Sequence, residues 1–339
     1  MAAPSPAAFA SRPMRVYIDN VRALGDAFDI TPAVFEKVAA RFPETARRVE
    51  AVIGYDNEDF AARAREADVL FAWEFPRPEL ARLAPRLRWI QLMGAGLDHL
   101  LPLTWLPAGV RLATAAGAHH DKAGEVLLAA VLMLNNSIPF FATAQRAGRW
   151  APRFSGQVRG KTVLIVGVGA TGGACAQACK AMGLRTIGVR PSRRPHPGID
   201  EMYGVDELRR VLPQADFVVV AVPLTSRNRN LFGPAEFACF KPGAGLVSIA
   251  RHDVIDAAAM FDALESGRLS GAVYDLENPD QVPCDPRMFT TRNLLILPHC
   301  LTNDPATFRE NVIEVFFRNA AADLAGQALP TQVDPGREY

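Results

Sequence analysis

A run with the spacing of a phosphate cradle, Gly167-Val168-Gly169-Ala170-Thr171-Gly172, lies between an apolar stretch at 163–166 and a segment of helical character at 171–182. Each glycine has its own task in such a turn. Gly167 makes the sharp bend, Gly169 lets the backbone approach a pyrophosphate, and Gly172 allows helix and strand to pack closely. The amides at Ala170 and Thr171, at the start of the helix, then face an anion with the helix dipole behind them. Glycines alone make a weak signal; the strand before and the helix after turn it into a dinucleotide site, with a merely tight turn as the other reading. About 20 residues on, an NAD site ordinarily places a carboxylate for the ribose 2′-hydroxyl. This chain instead has Arg190-Pro191-Ser192-Arg193-Arg194. Guanidiniums and a hydroxyl suit a 2′-phosphate through charge-assisted hydrogen bonds. Arg190, Ser192 and Arg193 therefore favour NADPH, with NADH possible, against the plainer reading of a solvated basic turn.

The elements that must carry this turn follow from periodicity. Beyond residue 160, short apolar runs at 163–166, 186–189, 217–222, 246–249, 272–274 and 294–297 alternate with helical segments such as 171–182 and 254–264. Runs of this kind are strands buried on both faces of a parallel sheet, and right-handed crossovers wind helices over both sides. A second set, at 15–18, 51–53, 69–72 and 89–91, predicts a smaller α/β lobe before it. Helical stretches at 122–149 and 306–324 link the lobes, the second returning to the first lobe.

Composition sets the limits. At 339 residues the chain suits two domains, and 49% hydrophobic with 22% charged residues is the balance of a globular protein. With 37 basic against 36 acidic residues it lacks the field of a nucleic-acid binder, so small molecules are the expected partners. The longest apolar run, 126–134, is far short of the ~20 residues that cross a bilayer, so no membrane span is expected. Residues 1–13, rich in Ala, Pro and Ser, read as a disordered leader without the pattern of a secretory signal. The five cysteines lack C-x-x-C spacing, which argues against a disulfide framework or structural zinc and for a reducing cytoplasm. Cys175 and Cys179 are read as small packing residues, and His119-His120 as a loop pair, so no metal is expected.

Further motifs stand in a recognisable order: Met93-Gly94-Ala95-Gly96-Leu97-Asp98, Ala123-Gly124-Glu125, the glycine turn, Ala215-Asp216 through Pro223-Leu224-Thr225, Ile249-Ala250-Arg251, Pro298-His299, and Leu329-Pro330 to Val333-Asp334. On these the chain resembles the D-isomer-specific 2-hydroxyacid dehydrogenase family, and within it the NADPH-preferring glyoxylate and hydroxypyruvate reductases. The resemblance covers roughly residues 69–339. It implies a two-domain α/β fold: a Rossmann-type doubly wound sheet (119–301) and a smaller flavodoxin-like substrate domain (14–118 with 302–339), joined by a hinge. It also implies a homodimer built on the cofactor domain, and places Pro223 and Ala250 at the cofactor.

Reduction of a 2-oxo acid needs a cation for the carboxylate, a donor for the carbonyl, an acid for the oxygen and a hydride source. Arg251, just past the run 246–249, offers a planar fork for carboxylate and carbonyl. His299, just past 294–297, can give or take a proton near neutral pH. Both stand at carboxyl ends of strands, where open α/β sheets bind ligands. The amides of Ala95 and Gly96 complete the carboxylate site in this reading, and Trp73 either walls the substrate pocket or packs in the core. The family pattern also implies a carboxylate that orients the histidine, five positions after Asp275. That place holds Asp280 rather than Glu, leaving Glu277 as an alternative orienter. His252 is a second departure, standing where the family has Gly: either a substrate or nicotinamide contact, or a ring turned to solvent.

The expectation is a dehydrogenase moving a hydride between NAD(P)H and a small 2-oxo or 2-hydroxy acid such as glyoxylate, hydroxypyruvate or an aryl pyruvate. A nucleotide-sensing corepressor of the same fold is the binding-protein alternative. A formate- or phosphite-type dehydrogenase ranks below both, since 94–96 brings no added cation.

Overall fold

The computed structural model describes residues 12–278 and 284–339. The chain divides into two compact units, one running to His119 and resuming over Asp304–Tyr339, the other His120–Asn303.

The first unit holds β1 (Met14–Asn20), β2 (Val49–Tyr55), β3 (Val69–Ala72), β4 (Trp89–Leu92) and β5 (Arg111–Ala113). All ladders are parallel, in the order β2-β1-β3-β4-β5, the flavodoxin-type winding. Alternate residues of β1 serve opposite faces, as the two-residue strand period requires. Met14, Val16 and Ile18 pack on Phe308, Phe316 and Phe317 of the helix Phe308–Leu324, while Tyr17 joins Phe60, Leu70 and Ile90 on the other side. The same helix is fastened to the start of the sheet by a buried carboxylate, since Asp323 pairs with both Arg88 and Arg111. Asn319 adds hydrogen bonds to Gln91 (2.7 Å) and Thr331 (2.8 Å). Arg12 donates to both oxygens of Asp68 at 2.7 Å, so the ordered chain reaches back into the 1–13 stretch expected to be a leader.

The second unit holds β6 (Thr162–Val166), β7 (Arg185–Val189), β8 (Glu201–Tyr203), β9 (Phe217–Val220), β10 (Ala244–Ser248), β11 (Leu269–Asp275) and β12 (Leu294–Leu297). The order β12-β11-β10-β9-β6-β7-β8, again all parallel, reverses direction between β6 and β9. A reversal of this kind opens a crevice at the carboxyl ends of those strands. Every residue of β6 is buried. Leu164 and Val166 face a core with Phe237, Met260 and Phe261, whereas Val163 and Ile165 face Leu127, Val131, Cys175 and Cys179. The sheet is therefore covered by helices on both sides, and the architecture is the two-domain doubly wound α/β fold read from the sequence.

Two local readings change. The helical stretch expected over 122–149 is two helices, His120–Asn135 and Ile138–Arg146, bent by 64°. Ser137, at φ +56°, leaves the right-handed helix, and Pro139 in the first turn of the next helix fits a fresh start. Strands β5 and β8, three residues each, escaped detection because so short a run carries no period. Among the described residues no single helix is long and apolar enough to cross a membrane, and no three His, Cys, Asp or Glu side chains gather as metal ligands would.

Candidate active site

Ser248 pairs with Tyr274 and Asp275 with Leu297, so the carboxyl ends of β10, β11 and β12 stand side by side. Arg251 lies just beyond β10, Asp275 ends β11, and His299 lies just beyond β12. Parallel register thus delivers three residues, separated by 24 positions at each step, to one edge of the sheet.

Asp275 faces His299. Its Oδ2 is 3.8 Å from His299 Nδ1, and its Oδ1 accepts the Cys300 backbone N–H at 3.1 Å. Burial pushes the Asp275 carboxyl above the usual carboxylate range; His299, the N–H groups of Leu301 and Cys300, and Arg251 oppose that rise. His299 itself sits at φ +50°, a left-handed conformation that costs a non-glycine residue roughly 1–2 kcal/mol. Its N–H bonds the Leu297 carbonyl at 3.0 Å, and 43% of its side chain stays exposed.

Glu277 is turned the other way. Its Oε1 lies 3.5 Å from Arg251 Nε, and its Oε2 accepts the His252 backbone N–H at 2.8 Å. The His252 ring lies between two carboxylates, with Nε2 3.0 Å from Asp253 Oδ1 and Nδ1 3.5 Å from Glu277 Oε2. Its side chain is 28% exposed, so the ring is partly covered rather than turned fully to solvent, one of the two readings the sequence leaves open. Among the described residues the carboxylate that faces His299 is Asp275, not Glu277; Asp280 lies outside the described residues. The sequence signal for Asp275 is its place at the end of the strand beside β12.

The glycine turn fits a dinucleotide on steric grounds. A Cβ at Gly167, whose φ is +98°, would lie 2.5 Å from the Ala221 carbonyl oxygen, and one at Gly172 would lie 2.0 Å from the Gly167 oxygen. One at Gly169 meets nothing within 4 Å. Two glycines are thus demanded by packing, and the third leaves an open approach beside the start of the helix Ala170–Ala181, where no side chain caps the first turn. The basic turn is more committed than its composition suggests. Arg190 donates to the carbonyls of Val168 (2.9 Å), Pro195 (3.1 Å) and Arg194, tying the turn to the glycine loop. Arg193 holds Asp206 at 2.7 and 2.8 Å. Ser192 and Arg194 are exposed, and the Arg194 guanidinium has no hydrogen-bond partner among the described residues. Pro223 is exposed and its carbonyl accepts from Asn228; Ala250 is buried beside Arg251.

In the other unit, Ala72 pairs with Leu92, so Trp73 and Gly94 are neighbours at adjacent strand ends. A Cβ at Gly94 would lie 2.8 Å from Trp73 Cη2, so the indole lies over the turn that continues into Ala95 and Gly96.

A doubly wound sheet with a glycine turn at its switch point, and with Arg, Asp and His at neighbouring strand ends, is an arrangement suited to a nicotinamide-dependent oxidoreductase. The profile of the D-isomer specific 2-hydroxyacid dehydrogenase, NAD binding domain, matches residues 128–300. The chain is 32% identical over 271 residues to a glyoxylate reductase of Thermococcus gammatolerans, covering 74% of this chain and 77% of that protein. It is 27% identical over 268 residues to a D-3-phosphoglycerate dehydrogenase of Methanocaldococcus jannaschii, covering 77% of this chain but only about half of that longer protein. In fold it is similar to a D-isomer specific 2-hydroxyacid dehydrogenase of Xanthobacter autotrophicus Py2, solved with NADPH and MES, with a TM-score of 0.79 at 24% identity over 97% of this chain and 100% of that one. The chain belongs to the D-isomer-specific 2-hydroxyacid dehydrogenase family, whose members act on small 2-hydroxy and 2-oxo acids.

Proposed function

We propose that the protein reduces a small 2-oxo acid of the glyoxylate, hydroxypyruvate or aryl pyruvate type, with NADPH preferred over NADH. The observation that carries this reading is that Arg251, Asp275 and His299 stand at adjoining strand ends, with Asp275 Oδ2 3.8 Å from His299 Nδ1. Bound nicotinamide would supply the hydride. Arg251 binds the substrate carboxylate and draws charge from its carbonyl oxygen, which favours attack at the carbon. His299, with Nδ1 toward Asp275, presents Nε2 to the substrate and gives that oxygen its proton. Asp275 anchors the turn that carries the ring, and Asp280 remains the family-pattern candidate for a closer orienting carboxylate.

Gly167, Gly169 and Gly172, with the amides of Ala170 and Thr171, would hold the pyrophosphate, and Pro223 and Ala250 would flank the cofactor. The 2′-phosphate is assigned to the turn 190–194, with Arg194 as the arginine of the turn that has no hydrogen-bond partner among the described residues and Arg190 as its brace. NADPH in the Xanthobacter structure and the name of the Thermococcus relative support cofactor and substrate class. A cytoplasmic homodimer completes the reading. Trp150 and Phe154, exposed to 95% and 98% just past the helix Ile138–Arg146, are the apolar side chains such a dimer would cover.

NADPH oxidation measured with a panel of 2-oxo acids, 3-phosphoglycerate oxidation run beside it, tests the assignment. Turnover of at least one 2-oxo acid, abolished in His299→Ala, is expected. Tight NADPH binding without turnover of any acid would favour the nucleotide-sensing alternative.

A further inference from the structure

Glu277 and His252 are 25 positions apart in the chain, yet they meet beside Arg251. We infer that Glu277 is a positioning residue that sets the plane of the Arg251 guanidinium, and that His252 holds Glu277 in place. The inference rests on the reading that Arg251 binds the substrate carboxylate.

Register brings the parts together. Ser248 pairs with Tyr274, so the segments leaving β10 and β11 run on side by side. Glu277 Oε2 is then fastened by the N–H of His252, the residue directly after Arg251. Fixed at that oxygen, the carboxylate holds Oε1 3.5 Å from Arg251 Nε. The side chains of Arg251 and Glu277 are 22% and 12% exposed, so solvent screens the pair less than it would at the surface. The His252 ring flanks the assembly, with Nδ1 3.5 Å from Glu277 Oε2 but not hydrogen-bonded to it, and Nε2 3.0 Å from Asp253 Oδ1. Asp253 is in turn paired with Arg229, and the Tyr274 hydroxyl reaches the His252 carbonyl at 3.5 Å.

An acidic group beside a cation meant for a substrate carboxylate weakens the cation's charge, which on its own raises KM. The return is orientation. An arginine side chain loses rotamer freedom when it binds, and a misplaced guanidinium reaches the carbonyl oxygen poorly. Holding Nε fixes the plane of the fork before substrate arrives. The loss of Glu277 is therefore a loss in kcat, with KM unchanged or lower.

Kinetics of Glu277→Gln, which keeps an oxygen for the His252 N–H but removes the charge, test this on a 2-oxo acid that the wild-type protein reduces. The expected result is a kcat lower by about tenfold or more, with KM changed by less than about threefold. Chemical rescue supplies a readout that a merely structural role would not move. Arg251→Ala should recover activity with added guanidinium chloride, because Glu277 still holds a place for the cation. The Arg251→Ala/Glu277→Gln double variant should recover at least tenfold less. Should Glu277→Gln fail to fold, His252→Gly keeps the backbone donor while removing the ring, and should lower kcat severalfold with guanidinium rescue of Arg251→Ala intact. Wild-type kcat in Glu277→Gln, or equal rescue in both Arg251→Ala backgrounds, overturns the positioning role. Absence of turnover in the wild-type protein would instead sink the underlying reading of Arg251.

Discussion

The turn after β6 and the strand ends of β10–β12 do their work with different parts of the chain. At the turn the proposed binding falls to the backbone, so the sequence leaves side chains out: Gly167 and Gly172 have no room for a Cβ, and Gly169 keeps an approach clear. At the strand ends side chains do the work, and the backbone only delivers them, even into the left-handed conformation of His299. A site of the first kind is written in consecutive letters. One of the second kind is written in register, across strands far apart in sequence.

The contrast predicts two opposite kinds of damage. His299→Gln should cost about 10²–10⁴ in kcat while leaving the NADPH dissociation constant and the melting temperature near wild type, since the ring is half exposed and bears no packing load. Gly172→Ala should instead lose fold and cofactor binding together, with roughly 1–3 kcal/mol of destabilisation in a denaturant titration, because the Gly167 carbonyl must move. Gly169→Ala separates the two properties: stability within about 0.5 kcal/mol of wild type, but weaker NADPH binding in a fluorescence titration. If Gly169→Ala unfolds the protein, the open approach assigned to that position is wrong.

A smaller effect distinguishes the arginines of the basic turn. Arg194→Ala should raise KM for NADPH about tenfold without changing KM for NADH, as one lost charge-assisted contact would. Arg190→Ala should raise both, because the side chain braces the glycine loop through the Val168 carbonyl. The smallest effect is one of pH. Asp275 binds its proton more tightly in the folded than in the unfolded chain. Stability therefore falls as pH rises from the ordinary carboxylate range through the raised value of Asp275. Asp275→Asn should flatten that fall and raise the melting temperature at neutral pH, as a thermal scan from acid to neutral pH would reveal.

Much of the fold was legible because fully buried parallel strands are nearly unbroken apolar runs, as in Thr162–Val166 and Phe217–Val220. The break at Ser137 was not, since a serine before Ile-Pro reads as helix until its φ is known. The steric demands of the glycine turn could be read letter by letter, since Gly167 and Gly172 have no room for a Cβ. Arg251 and His299 could be placed at strand ends, but the nearness of Asp275 to His299 could not, because it follows from the register of β11 with β12. Arg190 and Arg193 show the same limit, because composition registers a basic turn and says nothing of the carbonyls and carboxylates that already hold it. The pairing of His252 with Glu277 depends wholly on the alignment of β10 with β11.

The most direct test of a shared substrate is a double-mutant cycle in kcat/KM on Arg251→Ala and His299→Ala, using the best 2-oxo acid. If both groups act on one bound molecule, the double variant should lose little more than the worse single one. Losses that add in full on a logarithmic scale would mean that the guanidinium and the imidazole work independently, and would contradict the site described here.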